Sequence, residues 1–302
     1  MGFGLRPAGK EGVWGRVTST LDWCEENYIV TDFVAEFWNT VSCVFHLIAM
    51  TEGIYSLRRL NVPLSEYSLY LMFACIGVIG IGSILFHATL QFHSQMLDEL
   101  PMLYATTLTV FCMLRIFPSS RVNVLCLGLG LTAYSLLVTF FYLSFPNPVY
   151  HEIAFGFLVV TMVFLSPLQI SHLSKQQPHL RKTPLLNTLW TLYYASIVSF
   201  ASGFVLWLSE NNRCEWFRST RIRIGYPWRV LLEFHVWWHL GSSLSIYTVA
   251  LRVSLMTVLS HGGKKVALRI QKEVEVWWMF GFVPRIHRTI AEDGGLIARK
   301  LA

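Results

Sequence analysis

Residues 67–86 read YSLYLMFACIGVIGIGSILF, twenty residues without a charged side chain. A helix needs about 20 largely apolar residues to cross the hydrocarbon of a bilayer, and nothing in this stretch favours water over lipid. The pattern repeats on both sides. Seven stretches span or nearly span: about Phe37–Leu57, Tyr67–Phe86, about Leu100–Phe117, Val122–Phe145, about Ile153–Ile170, Pro184–Ser209 and about Leu231–Leu251. The third is interrupted only by Arg115, and the seventh carries Glu233, His235 and His239. Of the 302 residues, 54% are hydrophobic and 14% charged, against roughly 25% charged in a soluble domain. So few polar groups cannot clothe a soluble core of this size. The sequence predicts an all-α integral membrane protein, a seven-transmembrane helix bundle over 37–253. A polar segment, 1–36, precedes it, and a basic tail, 254–302, follows.

The placement of charge gives the orientation. With the N-terminus lumenal, sixteen of the 24 Lys and Arg fall on the cytosolic side, nine of them from Arg252 to Lys300. That bias is the one cytosolic loops carry. The stretches 91–97 and 144–147 hold no Lys or Arg, which agrees; the basic loop Arg213–Arg229 works against it. We expect a lumenal N-terminus and a cytosolic C-terminus, with the reverse as the alternative. The net charge of +6 is split between apolar blocks and builds no continuous basic face, so no nucleic-acid partner is expected. Six Cys without a CxxC pair suggest neither a zinc ribbon nor a thioredoxin-type site. The first thirty residues lack the apolar core of a cleavable signal peptide. The tail, with Trp277, Trp278 and Phe280, reads as an interfacial helix on the cytosolic surface or as a partly disordered segment.

Ionisable groups inside a span are costly and usually functional. His235 and His239 are four residues apart and share one helix face, a spacing that suits two imidazoles on one metal ion or a pair of hydrogen-bonded core histidines. His87 lies near the end of the second span, with Ser83 one turn before it, and Asp98-Glu99 opens the third. Alternation of spans brings the end of the second and the starts of the third and seventh to the same bilayer face, whichever face that is. Three His ligands would leave a fourth zinc position for water, and zinc lowers the pKa of that water toward about 7. Asp98, with Glu99 as its competing neighbour, is placed to take the proton. Ser83 either donates to a developing oxyanion or bonds its own helix. Asn39, Ser42 and His46 read as helix-to-helix ties, and His151-Glu152 as boundary residues of the fifth span. In the N-terminal segment, Asp22, Glu25, Asn27 and Glu36 with a backbone carbonyl form either a hard-oxygen site for Ca²⁺ or a solvated acidic flank.

At these residues the chain resembles the alkaline ceramidase family. The resemblance runs from about Gly12 to Leu251. It is carried by STLDWCEENY (19–28), AEFWNT (35–40), Phe86-His87, LDELPM (97–102) and FHVWWH (234–239). It implies zinc on His87, His235 and His239, catalytic roles for Ser83 and Asp98, and calcium on Asp22, the Trp23 carbonyl, Glu25, Asn27 and Glu36. It also implies a disulfide between Cys24 and Cys214. The implied reaction splits ceramide into a sphingoid base and a fatty acid in endoplasmic reticulum or Golgi membranes, with no obligate protein partner. A receptor resembling the adiponectin receptors, with a zinc site of its own, is the alternative. The tail from about Ser254 matches weakly.

Overall fold

The computed structural model describes residues 11–117, 123–261, 268–270, 273–279, 281 and 283–288. Among them, seven helical segments are long and apolar enough to cross a membrane. The first, Phe37–Arg59, is made of α1 (Phe37–Ser42) and α2 (Val44–Arg59) with Cys43 between them. Then come α3 (Tyr67–Thr89), α4 (Phe92–Arg115), α5 (Val124–Ser144), α6 (Pro148–Gln176) and α7 (Pro184–Asn212). A short helix α8 (Cys214–Ile224) precedes the last span, α9 (Phe234–His261). Large apolar side chains on the outer faces of α5, α6 and α7, such as Leu129, Phe140, Phe164 and Val198, stay exposed. An outward apolar belt of this kind faces lipid rather than water. The core lies between α2, α3, α4 and α9, around Phe73, Ile76, Met113, Leu251 and Leu255.

Several boundaries differ from those read in the sequence, for one reason. Hydropathy ends a span where polar residues begin, but a helix continues wherever those residues find partners. Thus α4 starts at Phe92 rather than near Leu100, which puts Asp98 and Glu99 within the helix. The start of α6 is set by Asn147, whose side chain accepts from the Val149 N–H, and by Pro148 at its first position. Helix α9 runs through residue 253 to His261, so the expected boundary between bundle and tail falls inside it.

The tail is neither an interfacial helix nor structureless where it is described. Val274–Met279 (β1) pairs antiparallel with Val283–Arg288 (β2). Val and Trp in β1 suit a pleated strand better than a helix, and Gly281 supplies a positive φ of 80° at the turn. The hairpin closes the far end of the bundle. Tyr247 Oη donates to the Pro284 carbonyl (2.6 Å), and Arg285 pairs with Glu52 (3.1 Å). Ile286 joins the core, with Val276 and Trp278 packed beside it. Phe280 and the basic residues of 289–302 lie outside the described residues.

The opposite end is capped by residues 11–36 and α8. Helix α3 ends on Leu90 in the left-handed region (φ 50°), leaving its last carbonyls without helical partners. The N-terminal segment supplies the missing donors. Glu36 N–H donates to the His87 carbonyl (2.9 Å), Ala35 N–H to Ala88 (2.9 Å), and Thr18 and Ser19 N–H to Leu90 (3.1 Å each). Leu21, Tyr28 and Ala35 bury against Phe86 and Leu90. A disulfide joins Cys24 to Cys214 at the start of α8, with Cα atoms 5.5 Å apart. The fully buried Arg221 reaches from α8 to Glu210 (2.8 Å), Glu233, Glu26 (3.5 Å) and the Cys24 carbonyl (2.6 Å). The loop that looked too basic for its side of the membrane therefore has its own counter-charges. Arg221 and Arg229 are paired with acids, and Arg218 donates to the Cys24 carbonyl (3.0 Å).

Two helix contacts allow no side chain. A Cβ on Gly82 would lie 1.9 Å from the Leu97 carbonyl oxygen and 2.9 Å from the Asp98 nitrogen. That carbonyl is exposed because Pro101, four residues on, has no N–H to donate to it. A Cβ on Gly241 would lie 2.6 Å from the Ser199 carbonyl oxygen and 3.1 Å from Gly203 Cα. Small residues let membrane helices approach this closely.

Two predictions follow from this packing. Gly82→Ala should force α3 from α4 and cost about 1–3 kcal/mol or more, whereas Gly130→Ala, with open space around it, should leave the thermal transition in detergent unchanged or slightly raised. Arg221→Met should leave Glu210 and Glu233 buried without their cation and cost about 3–5 kcal/mol; an unchanged transition would show the network to be solvated.

Candidate active site

The chemistry-bearing residues converge beneath the capped end. His87 comes from the last turns of α3, and His235 and His239 from the first turns of α9, whose Trp237–Gly241 backbone packs on Gly203 of α7. The ring centroids lie 5.0 Å apart for His87–His235, 4.9 Å for His87–His239 and 4.7 Å for His235–His239. All three rings are buried. Each ring is held by a neighbour. His87 Nδ1 is 2.5 Å from Glu36 Oε2, and His239 Nδ1 is 2.7 Å from Ser42 Oγ. Trp23 stacks on the His235 ring at 4.5 Å, and the His235 N–H donates to Glu210 Oε2 (2.8 Å). With Nδ1 engaged, Nε2 is the nitrogen that His87 and His239 have left for an ion, the arrangement usual for metal-bound histidine.

Sequence reasoning missed Cys43. Its sulfur, His87 and His239 offer ligand atoms within 4.8 Å of one another. The cluster is thus a buried set of nitrogen and sulfur donors able to hold a metal ion. Cys43 Sγ is 3.1 Å from the Asn39 carbonyl, to which it donates. A sulfur in that role keeps its proton, while a metal ligand must be a thiolate; His235 is not in this group, although its ring lies 5.0 Å from that of His87 and 4.7 Å from that of His239. Asn39, Ser42 and His46 also belong here rather than to general helix packing. Ser42 holds His239, Asn39 Nδ2 donates to Glu36 (3.2 Å), and the His46 ring lies 6.0 Å from that of His239. Their spacing, 39, 42, 43 and 46, is a polar stripe at helical period in an apolar span, and that signal was available in the sequence.

Ser83 and Asp98 come together across the α3–α4 contact at Gly82, with the Ser83 side chain beside the Asp98 carboxyl group. Glu99 is engaged elsewhere: it accepts from the Tyr142 hydroxyl and from Gln95 Nε2 (3.2 Å). The geometry thus separates the two adjacent acids, with Asp98 on the serine and Glu99 in a saturated polar network.

In the acidic segment, Asp22 Oδ1 accepts from Asn27 Nδ2 (3.1 Å), and Glu36 Oε1 from the Trp23 N–H (3.0 Å). Glu25 sits on the N-terminus of α1, accepting from the Trp38 (2.7 Å) and Asn39 (2.8 Å) N–H groups, where the helix dipole favours an anion. Burial, and then the neighbouring Glu36, push the Glu25 carboxyl up to about 8. Burial and the Asp22 charge hold Glu36 well above the usual carboxylate range. The Asn27 side-chain oxygen is buried without a partner. Buried carboxyls that repel one another around an orphaned carbonyl are the donor set a hard cation satisfies.

A cavity of about 870 Å³ opens beside the histidines, within the size range of small-molecule sites. Ser83, Asp98, His235 and His239 form one polar wall; Phe155, Val159, Phe200, Phe204, Ile246 and Val249 make the rest largely apolar. Along α9 the lining runs from His239 to Val249, a depth of about 15 Å at the helical rise. Val160 and Phe204 both line the cavity and reach the outer surface of the bundle.

Comparison with known proteins agrees with this chemistry. A profile of the Ceramidase family matches residues 15–287. The match extends past Leu251 through the hairpin, so the described tail lies within the family region and not outside it. The chain is 37% identical to alkaline ceramidase 3 of Mus musculus over 277 residues, covering 92% of this chain and 95% of that one. It is 30% identical to an alkaline ceramidase of Saccharomyces cerevisiae over 266 residues, covering 82% and 80%. These relatives are named as ceramidases, which does not favour the receptor alternative. Matched over nearly its whole length, the chain belongs to the ceramidase family.

Proposed function

We propose that this protein hydrolyses the amide bond of ceramide, releasing a sphingoid base and a free fatty acid. The observation that carries the proposal is the cavity itself, in which His235, His239, a serine and a carboxylate line a largely apolar chamber inside a membrane bundle, with the His87 ring 5.0 Å from that of His235. Ceramide has two hydrocarbon chains and a small polar head. The chamber offers the chains about 15 Å of apolar depth along α9, and its wall at Val160 and Phe204 opens between α6 and α7 toward the lipid.

His87, His235 and His239 would hold zinc. When bound, that ion supplies Lewis acidity and makes water more acidic near neutral pH. The protein's own residues position and move the rest. Ser83 donates a hydrogen bond to the amide carbonyl oxygen, where negative charge develops. Asp98 accepts a proton from the attacking water and returns it to the departing nitrogen. One C–O bond forms, the C–N bond breaks, and the sphingoid base leaves as an amine. The apolar wall limits competing water.

Asp22, the Trp23 carbonyl, Glu25, Asn27 and Glu36 would hold calcium. Glu36 belongs to both groups, since one carboxylate oxygen accepts from Trp23 and the other from His87. Cation binding in the acidic segment thereby fixes the orientation of a zinc-site imidazole. The protein would sit in endoplasmic reticulum or Golgi membranes with its N-terminus lumenal and would take a lipid substrate.

His239→Ala should abolish sphingoid-base release and bound zinc in protein that still inserts, while Ser42→Ala, which removes only the support of His239, should weaken zinc binding ~10- to 100-fold. Full turnover in His239→Ala would end the zinc reading. Calcium binding should depend on pH with a definite sign. The Glu25 carboxyl, pushed up to about 8, is protonated at neutral pH without the cation and must lose that proton on binding. With Glu36 also held up, calcium affinity should therefore rise at least tenfold per pH unit below 8, with proton release measurable by titration calorimetry in two buffers; affinity that does not change with pH would refute the assignment.

A further inference from the structure

His151 and Glu152 read in the sequence as residues at a membrane boundary, where they would face water. The structure places them otherwise. Asn147 and Pro148 set the start of α6 so that His151 falls in its first turn. His151 is only 4% exposed and lines the cavity that Ser83, Asp98, His235 and His239 also line. It is held between Tyr142 (centroids 6.1 Å, planes 24° apart) and Phe155 (5.8 Å, 14°). The ring also lies beside the backbone carbonyl of Glu99, the residue next to Asp98. Its Nε2 is buried and has no partner among the described residues.

Those facts fix the chemistry of the free nitrogen. In a neutral imidazole one nitrogen carries the proton and the other a lone pair. A neighbouring carbonyl can only accept, which favours the proton on the nitrogen beside it, and the partnerless Nε2 is then left as the acceptor of a ring that lines the cavity. The nearby protein donors are committed elsewhere: the Tyr142 hydroxyl to Glu99, and Gln95 Nε2 to Glu99, Thr20 and Tyr142. Glu152, on the same wall, is another acceptor and cannot serve. A buried acceptor left unmatched is costly, and here the donor has to come from the cavity's occupant.

Resting on the ceramidase reading above, we propose that His151 is a specificity-determining residue whose Nε2 accepts a hydrogen bond from a hydroxyl of the sphingoid head group. Ceramide carries two such donors beside the scissile amide, a primary and a secondary hydroxyl. The amide is engaged at Ser83 and Asp98, and the Glu99 carbonyl beside His151 is one residue from Asp98, so a hydroxyl a few bonds from that amide is the group within reach. The serine and carboxylate would act on the bond; His151 would select lipids that present a free hydroxyl next to it.

The test compares three substrates on the purified full-length protein: ceramide, its analogue lacking the primary hydroxyl, and its analogue lacking the secondary one. Sphingoid-base release is measured for wild type, His151→Leu and His151→Gln. Wild type should lose about tenfold to a hundredfold in kcat/KM on one analogue, the size of a hydrogen bond missed by a built site, and that analogue identifies the hydroxyl. His151→Leu should lose a similar factor on ceramide but almost none on that analogue, so the two substrates converge. His151→Gln, which keeps an acceptor, should recover part of the discrimination. The same proportional loss on all three substrates in His151→Leu would mean a structural role and overturn the proposal. So would a wild type indifferent to both deletions, a result that needs no folded variant. Wild-type protein that turns over none of the three would instead sink the ceramidase reading, and this inference with it.

Discussion

A carboxyl group buried at the edge of a bilayer has to be surrounded by hydrogen-bonding partners, and Glu36 shows how this fold meets that demand. It stands immediately before the first span, fully buried, and collects the Trp23 N–H, the Asn39 side-chain amide and a histidine ring. Its own N–H closes the end of α3 at the His87 carbonyl. One residue thus joins the N-terminal segment, the first span and the second. Remove it, and the acidic segment, the α3 C-terminus and the His87 ring each lose a fixed point. The interactions are individually modest, but each satisfies a group that has no alternative partner at that depth.

The rest of the capped end follows from the same constraint. Arg221 is a guanidinium with no access to water, so the acids around it are required rather than optional. Glu210 serves twice, pairing with Arg221 and accepting from the His235 N–H at the start of α9. The structural cap and the metal cluster are therefore one network. The glycines at 82, 203 and 241 complete it from below by letting backbones touch where a methyl group would separate Ser83 from Asp98 or α9 from α7.

Much of this was legible in the sequence, and the part that was not has a consistent cause. The seven spans were readable because lipid imposes length and composition on each helix separately. His235 and His239 were readable because their relation is local, four residues on one helix. The convergence of His87 with them needed only the alternation of spans. What the sequence hid were relations between helices. Glu99 and Asp98 are adjacent and chemically alike, and only the position of Tyr142 on α5 tells them apart. Cys43 and Ser42 gain meaning from His239, nearly 200 residues away in the chain. The arginines of α8 looked like a topological conflict because their acidic partners come from three other segments. The hairpin was missed because a basic, tryptophan-bearing tail has the composition of a surface helix, while its strand pairing depends on the turn at Gly281.

His151 shows why burial and partner count carry more information than position along a span. Composition places it at a boundary, and there an imidazole would be solvated and interchangeable. Its neighbours dictate otherwise. An aromatic stack removes it from water, a backbone carbonyl favours one tautomer, and the remaining nitrogen is left without a partner. The three clustered histidines obey the same logic with the opposite outcome. There Glu36 and Ser42 engage Nδ1 of His87 and His239, and these two histidines offer donor atoms close enough together for a cation. Here a single partnerless nitrogen sits in the wall of a largely apolar chamber. Identical side chains thus divide into metal ligands and a hydroxyl acceptor by what surrounds them, and a membrane interior, in which every unmatched polar atom is expensive, makes that division sharp.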